Sequence, residues 1–236
     1  MNRLLRLLCG KPPAVLVEAQ RRRRDDWRRE RTAARDTPHD KTRYVVVDVE
    51  ASGLDLRADR LIAIGAVAVK GGLVDPADAF EVVLRQDQAS ATDNILIHGI
   101  GATQQREGLP PVEALLGFLD FLGDGALVAY HAPFDAAMIA RAMEEFLDLR
   151  FRPQWIDLAS ILPEVYPDIH ADQSALDRWL HAFAIPVLAR HNALADALAT
   201  AQLLQMALPR AARVGAGSPQ GLAELEKARR WLRRTN

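Results

Sequence analysis

The chain of 236 residues has a single cysteine, Cys9, so it can form neither an intramolecular disulfide nor a cysteine-built zinc site, and a reducing compartment is expected. Aromatic residues make up only 6%, and with 14 Gly and 13 Pro the composition excludes collagen-like, mucin-like and wholly disordered architectures. Long apolar runs are lacking too. Leu4, Leu5, Leu7 and Leu8 are interrupted by Arg3 and Arg6, too short a run for a secretion signal, and nowhere do about 18 apolar residues follow one another as a spanning helix requires. A soluble, cytoplasmic protein with no membrane association is expected. At 49% hydrophobic residues, a domain of roughly 150 to 200 residues can bury its own core without staples.

A large net charge is also missing, but the value of −1 conceals a segregation. Residues 1–43 carry 13 basic and 6 acidic side chains, residues 44–209 carry 10 and 23, and residues 210–236 carry 7 and 2. An acidic centre repels nucleic acid unless cations neutralise some of its carboxylates, whereas basic arms are natural phosphate contacts. The pattern suits a metal-dependent enzyme acting on phosphodiesters. The run Arg21 to Arg24 with Arg28, Arg29 and Arg31 is explained equally well as the solvated face of a helix.

These segments define a basic extension, residues 1–43, a central domain, residues 44–209, and a basic tail, residues 210–236. The extension reads as a peripheral helix from Ala14 to Arg35 between proline breaks, and the tail as a flexible Gly215 to Pro219 break followed by a short amphipathic helix near Leu222 to Leu232. The central domain opens with Tyr44-Val-Val-Val-Asp-Val49, a β-branched run typical of a buried strand, which ends in the polar turn Glu50-Ala-Ser-Gly53. Strands over Leu61 to Val69 and Ala79 to Leu84 complete a meander, the last following a Pro- and Asp-containing connection. The period then changes to helix over Pro111 to Leu122, strand over Ala126 to Tyr130 and helix over Pro133 to Leu149, so the domain is α/β. Asp157 to Leu162, Ser174 to Phe183 and Ala193 to Leu208 read as further helices.

Three segments carry chemistry. Asp48 and Glu50 are separated by one residue in a strand and so point the same way, and both can reach one cation. Asp135 opens a helix after a strand, and Asp196 lies in the first turns of another with His191 five residues before it. Carboxylates suit hard ions such as Mg²⁺, which take oxygen ligands and retain water, and an imidazole beside them can accept a proton. Asp135 is equally accounted for as a first-turn acid favoured by the helix dipole. His39, His170 and His181 read as structural or exposed, and Trp155 and Trp179 as core.

The residues Asp48-Val-Glu-Ala-Ser-Gly-Leu54, His131-Ala-Pro-Phe-Asp135 and Arg190-His-Asn-Ala-Leu-Ala-Asp196 together resemble the three motifs of the DnaQ-like, or DEDDh, 3′→5′ exonucleases, which include replicase proofreading subunits and oligoribonuclease. The resemblance spans about residues 44 to 208 in the family's order. It implies a ribonuclease H-like fold, a mixed five-stranded sheet with helices on both faces. It further implies that Asp48, Glu50, Asp135 and Asp196 bind two Mg²⁺ or Mn²⁺ ions and that His191 is the general base, with nucleoside 5′-monophosphates as products. Ala51, Ser52, Gly53, Leu54, His98, His131 and Phe134 are the implied substrate contacts, Leu54 as a wedge between terminal bases; His98 is equally accounted for by a backbone contact or by simple packing, and His131 by bracing its loop. Ala51 and Ser52 stand where many members have two threonines, and His131 where many have Asn. Single-stranded or frayed DNA 3′ ends are the preferred substrate and a polymerase or other replication or repair protein the partner, with an exoribonuclease or a noncatalytic polymerase-associated module as alternatives. The sequence leaves the oligomeric state open.

Overall fold

The computed structural model describes residues 15–30, 35–169, 175–186 and 190–235, with backbone alone for residue 30 and residues 229–235. Cys9, the leucines at the start of the chain, Arg31 and His170 lie outside the described residues. Five strands form one sheet: β1 (Arg43–Ala51), β2 (Leu61–Lys70), β3 (Leu73–Val83), β4 (Ala126–Ala129) and β5 (Trp155–Asp157). Their spatial order is β3-β2-β1-β4-β5, with β1, β2 and β3 antiparallel and β4 and β5 parallel to β1. The expected mixed sheet with helices on both faces is therefore present.

Nine α-helices accompany it among the described residues: α1 (Glu18–Glu30), α2 (Thr92–His98), α3 (Ala102–Glu107), α4 (Pro111–Leu122), α5 (Pro133–Leu147), α6 (Leu158–Val165), α7 (Leu176–Ala182), α8 (Ala193–Arg213) and α9 (Pro219–Thr235). None is long and apolar enough to cross a membrane.

Strand alternation sorts the core into two layers. Val45, Val47 and Val49 of β1 pack with Leu115, Phe118 and Leu119 of α4 and Met138, Ile139 and Met143 of α5. Tyr44 and Val46 face the other way, onto Leu158 and Leu162 of α6, Trp179 of α7 and Leu203, Leu204 and Leu208 of α8. Trp179 is fully buried, as expected of a core residue. Trp155 instead stands on β5, half-buried against the α4 and α5 layer.

Three local features depart from the sequence expectation. β3 begins at Leu73, because Gly71 and Gly72, at φ 59° and 76°, make the two-residue turn that a tight hairpin requires. Pro76, expected in a connection, lies within the strand, where the ladder slips between Val67 and Ala68 and an edge position spares the missing N–H. The extension is docked rather than peripheral: Leu16 is buried, Trp27 stacks on Phe151 with centroids 5.6 Å apart, and Arg23 pairs with Glu113 and Asp120 of α4. The turn before α9 is likewise packed, since His39 Nε2 lies 2.8 Å from the Ala216 carbonyl and its Nδ1 2.6 Å from the Tyr44 hydroxyl, the structural role expected of that histidine.

Gly65 of β2 sits opposite Asp48 and directly beneath the first turn of α8, where an added Cβ would collide with the backbone of Ala193 and Leu194. A side chain here forces the helix off the sheet. Gly65→Ala should lower the free energy of unfolding by about 1–3 kcal/mol or more, read from urea denaturation.

Candidate active site

The acids are placed by the same alternation that sorts the core. Asp48 and Glu50 continue the Tyr44 and Val46 row and so face α8, at the carboxyl end of β1 where the register breaks between Glu50 and Ala51. Asn192 caps α8 by accepting the Ala195 N–H at 2.9 Å, which starts the helix so that Asp196 lies in its first turn, close above Gly65. Carboxylate oxygens of Asp48, Glu50 and Asp196 lie within 4.8 Å of one another. Asp135 arrives from α5, on the other side of the sheet, with Pro133 fixing the first helical position. It is buried, accepts backbone hydrogen bonds that include the N–H of Val49, and its charge acts on Asp48. The crevice lies where β1 and β4 run parallel and their connections leave in opposite directions, the usual binding position of an open α/β sheet.

His191 borders this cluster. Its backbone N–H donates to Asp196 Oδ2 at 3.0 Å, its φ is 58°, and its exposed ring hydrogen-bonds no other described residue. Arg190 bridges Asp196 and Asp177 of α7, the latter at 2.6 Å. In the sequence that guanidinium reads only as a motif neighbour. The loop after β1 is organised by a second residue without a sequence signal, Asp59, which accepts from Ser52 Oγ and from the Asp55 N–H, both at 2.8 Å. The Ser52 hydroxyl is thus committed within its own loop, and its carbonyl accepts from Asn94 of α2.

Among the remaining expected substrate contacts, Ala51 is half-buried at the end of β1, Gly53 is half-buried in that loop, Leu54 is 86% exposed, and Phe134 is half-buried at the start of α5. His131 is exposed, with its ring edge-on to Tyr130 at 4.8 Å. His98 is buried: its ring accepts from the Ile100 N–H at 3.0 Å and lies 3.2 Å from Ser90 Oγ, so its side chain braces the α2 loop.

Crowded carboxylates withdrawn from water hold their protons. Burial first, then the charges of Asp135, Asp196 and Glu50, push the Asp48 carboxyl well above the ordinary range, with Arg190 opposing. Burial likewise raises Asp135, against the backbone bonds that lower it. Glu50 is pushed up to about 7, by burial and then by Asp196. An all-oxygen donor set with one resident guanidinium fits a hard divalent cation, which would replace those protons. Because these folded-state pKa values exceed the unfolded ones, the folded protein binds more protons, and stability is lost as pH rises from about 4.5 through 7. In EDTA the melting temperature should fall between pH 5 and pH 8, less so for Glu50→Gln, and added Mn²⁺ should restore it most at the higher pH.

Comparison with known proteins accords with this geometry. Residues 45–204 match the RNase_T exonuclease family. The chain is 31% identical over 173 residues to the PolC-type DNA polymerase III of Bacillus subtilis, covering 73% of this chain and 12% of that protein. It is 30% identical over 183 residues to a DNA polymerase III epsilon-like protein of Rhodobacter capsulatus, covering 75% and 25%. It thus spans a quarter or less of these relatives. Among solved structures, E. coli exonuclease I in complex with a dT13 oligonucleotide superposes with a TM-score of 0.62 at 17% identity, covering 74% of this chain and 42% of that one. Exonuclease X in complex with 5′-overhanging duplex DNA gives 0.60 at 17%, covering 78% and 99%. The acidic crevice is set in the fold of these nucleases, and the chain belongs to the RNase_T exonuclease family.

Proposed function

We propose that the chain is a divalent-metal-dependent 3′→5′ exonuclease that removes nucleoside 5′-monophosphates from single-stranded or frayed DNA ends. The observation that carries this reading is the convergence of the Asp48, Glu50 and Asp196 carboxylates within 4.8 Å, with the buried Asp135 alongside. A noncatalytic module has no use for four acids whose repulsion must be offset by protons or cations. DNA is favoured over RNA because the similar solved structures named above hold DNA, and the similar curated proteins are named as DNA polymerases.

Asp48, Glu50, Asp135 and Asp196 would hold two Mg²⁺ or Mn²⁺ ions. When bound, such ions ease deprotonation of a water and stabilise charge on the leaving 3′-oxygen. His191 takes the proton from the attacking water, and its exposed ring on the rim of the crevice can pass it on to solvent. Leu54, 86% exposed, would reach between the terminal bases, and Phe134, half-buried at the start of α5, would lie near the substrate. Arg190, offset from Asp196 once a dication binds there, remains tethered through Asp177 at the mouth.

On 5′-labelled single-stranded DNA, Mn²⁺ should produce a ladder shortening from the 3′ end, abolished by EDTA. Asp48→Asn should lower kcat at least about 1,000-fold, and His191→Gln about 100- to 10,000-fold, the range of general-base contributions. Faster degradation of the matched RNA would turn the assignment to an exoribonuclease, and turnover retained in both variants would overturn the mechanism.

The exposed Arg21, Arg22, Arg28 and Arg29 of α1 are the proposed contact for nucleic acid or for a polymerase partner. Replacing all four by Glu, which leaves the buried Leu16 and the half-buried Trp27 in place, should flatten the salt dependence of DNA binding by about 0.7 log units for each phosphate that is no longer neutralised. An unchanged slope would leave the partner role alone.

A further inference from the structure

Asp157, at the end of β5, makes more hydrogen bonds than a helix cap needs. Its carboxylate accepts from the Ala159 N–H at 3.2 Å and from Ser160 Oγ at 3.0 Å, which starts α6. A third bond is not local: the backbone N–H of His131 donates to Asp157 Oδ1 at 3.0 Å, crossing from β5 to the turn that joins β4 to α5. On the other side, the Asp157 N–H donates to Glu226 Oε2 at 3.0 Å, so the end of β5 is gripped by α9. Both acids are buried, Asp157 at 6% and Glu226 at 7% exposure. Glu226 thus holds the backbone of the residue whose side chain holds the His131 N–H.

The turn at His131 is where the chain is redirected. Its φ of 62° is left-handed, a conformation that residues with a side chain rarely adopt and that surrounding contacts must impose. The His131 carbonyl accepts the Phe134 N–H at 3.2 Å, and α5 follows at once with Asp135 as its third residue. A shift of this turn moves the whole first turn of α5, and with it the carboxylate that faces Asp48.

We propose that Asp157 and Glu226 are positioning residues for the acidic centre: Glu226 fixes the end of β5, Asp157 holds the left-handed turn at His131, and that turn sets where Asp135 stands. The inference rests on the exonuclease reading of Asp135. It makes α9, which lies beyond the residues 45–204 that match the family, part of the support of the active site.

The test compares Glu226→Ala, Glu226→Gln and Ser160→Ala in the full chain. It measures Mn²⁺ affinity by calorimetry, kcat and KM on a single-stranded DNA oligonucleotide, and amide hydrogen exchange of the segment 130–136. Glu226→Ala should weaken Mn²⁺ binding about tenfold and lower kcat to a similar degree, as loss of the groups that orient metal ligands does, with KM within about twofold. Exchange at His131 should quicken. Glu226→Gln keeps an oxygen that can accept the Asp157 N–H and should restore all three. Ser160→Ala removes a side-chain bond to Asp157 Oδ2 and leaves the bonds at Oδ1, so it should lower the melting temperature without moving Mn²⁺ affinity or exchange at His131. A Glu226→Ala protein that melts lower yet keeps its metal affinity, kcat and exchange overturns the proposal. Should that variant not fold, Glu226→Asp, one methylene short of the same bond, must show the same changes in smaller measure, and unaltered values there overturn it equally. If the wild-type protein neither binds Mn²⁺ nor shortens the oligonucleotide, the exonuclease reading fails. The exchange measurement still decides the coupling, since it needs neither metal nor substrate.

Discussion

Repulsion among buried carboxylates is the constraint on which the rest of the structure depends. Asp48, Glu50 and Asp196 converge from a strand and a helix, Asp135 enters from the opposite layer, and burial together with the neighbouring charges raises the cost of ionising Asp48 and Glu50. Such a cluster is unfavourable for the isolated fold and is retained only where a cation makes it favourable. In the protein alone the charge is relieved by retained protons, by the Arg190 guanidinium on Asp196 and by backbone N–H groups on Asp135. None of these contributions is as strong as a divalent cation would be, and an all-oxygen cluster of this kind would exchange its protons for metal.

Holding the acids together against that repulsion falls to packing on both sides of the sheet. The apolar rows of β1 are anchored in two separate layers, so neither face of the strand can rotate Asp48 away from α8. Gly65 removes the side chain that would otherwise keep α8 at normal helix-to-sheet distance, which lets Asp196 approach across the β1–β2 ladder. The stabilisation from burying these rows is spread over many residues, whereas the destabilisation is concentrated in four.

Much of this is legible in the sequence because it is written in local patterns. The β-branched run into Asp48 and Glu50, the Pro-started helix at Asp135 and the spacing of His191 and Asp196 each follow from periodicities of two or 3.6 residues, and their order carries the family resemblance. The remainder has no local signature. Asp59 organises Ser52 and Asp55 from several residues away, the bond from Asp157 to the His131 N–H crosses from the end of β5 to the turn after β4, and His98 beside a glycine cannot be told from a loop residue facing outward. β3 reads short in the sequence because Pro76 suggests a break, and only the slip in its ladder shows how an edge strand accommodates it. The arm reads as peripheral because its arginines dominate the composition, although Leu16 and Trp27 do the docking.

The two arms outside the family match are bound to opposite faces of the domain, α1 over α4 and α9 over β5 and α6. Their attachments differ in kind. α1 is held by an aromatic stack and by partly exposed ion pairs of Arg23, of which the ion pairs are the part that salt weakens. α9 inserts Leu222 and the carboxylate of Glu226 into buried positions that lead by hydrogen bonds to the turn before Asp135. If the proposed roles hold, a ligand on the first arm would act on substrate delivery, whereas strain in the second would act on the geometry of the acids themselves.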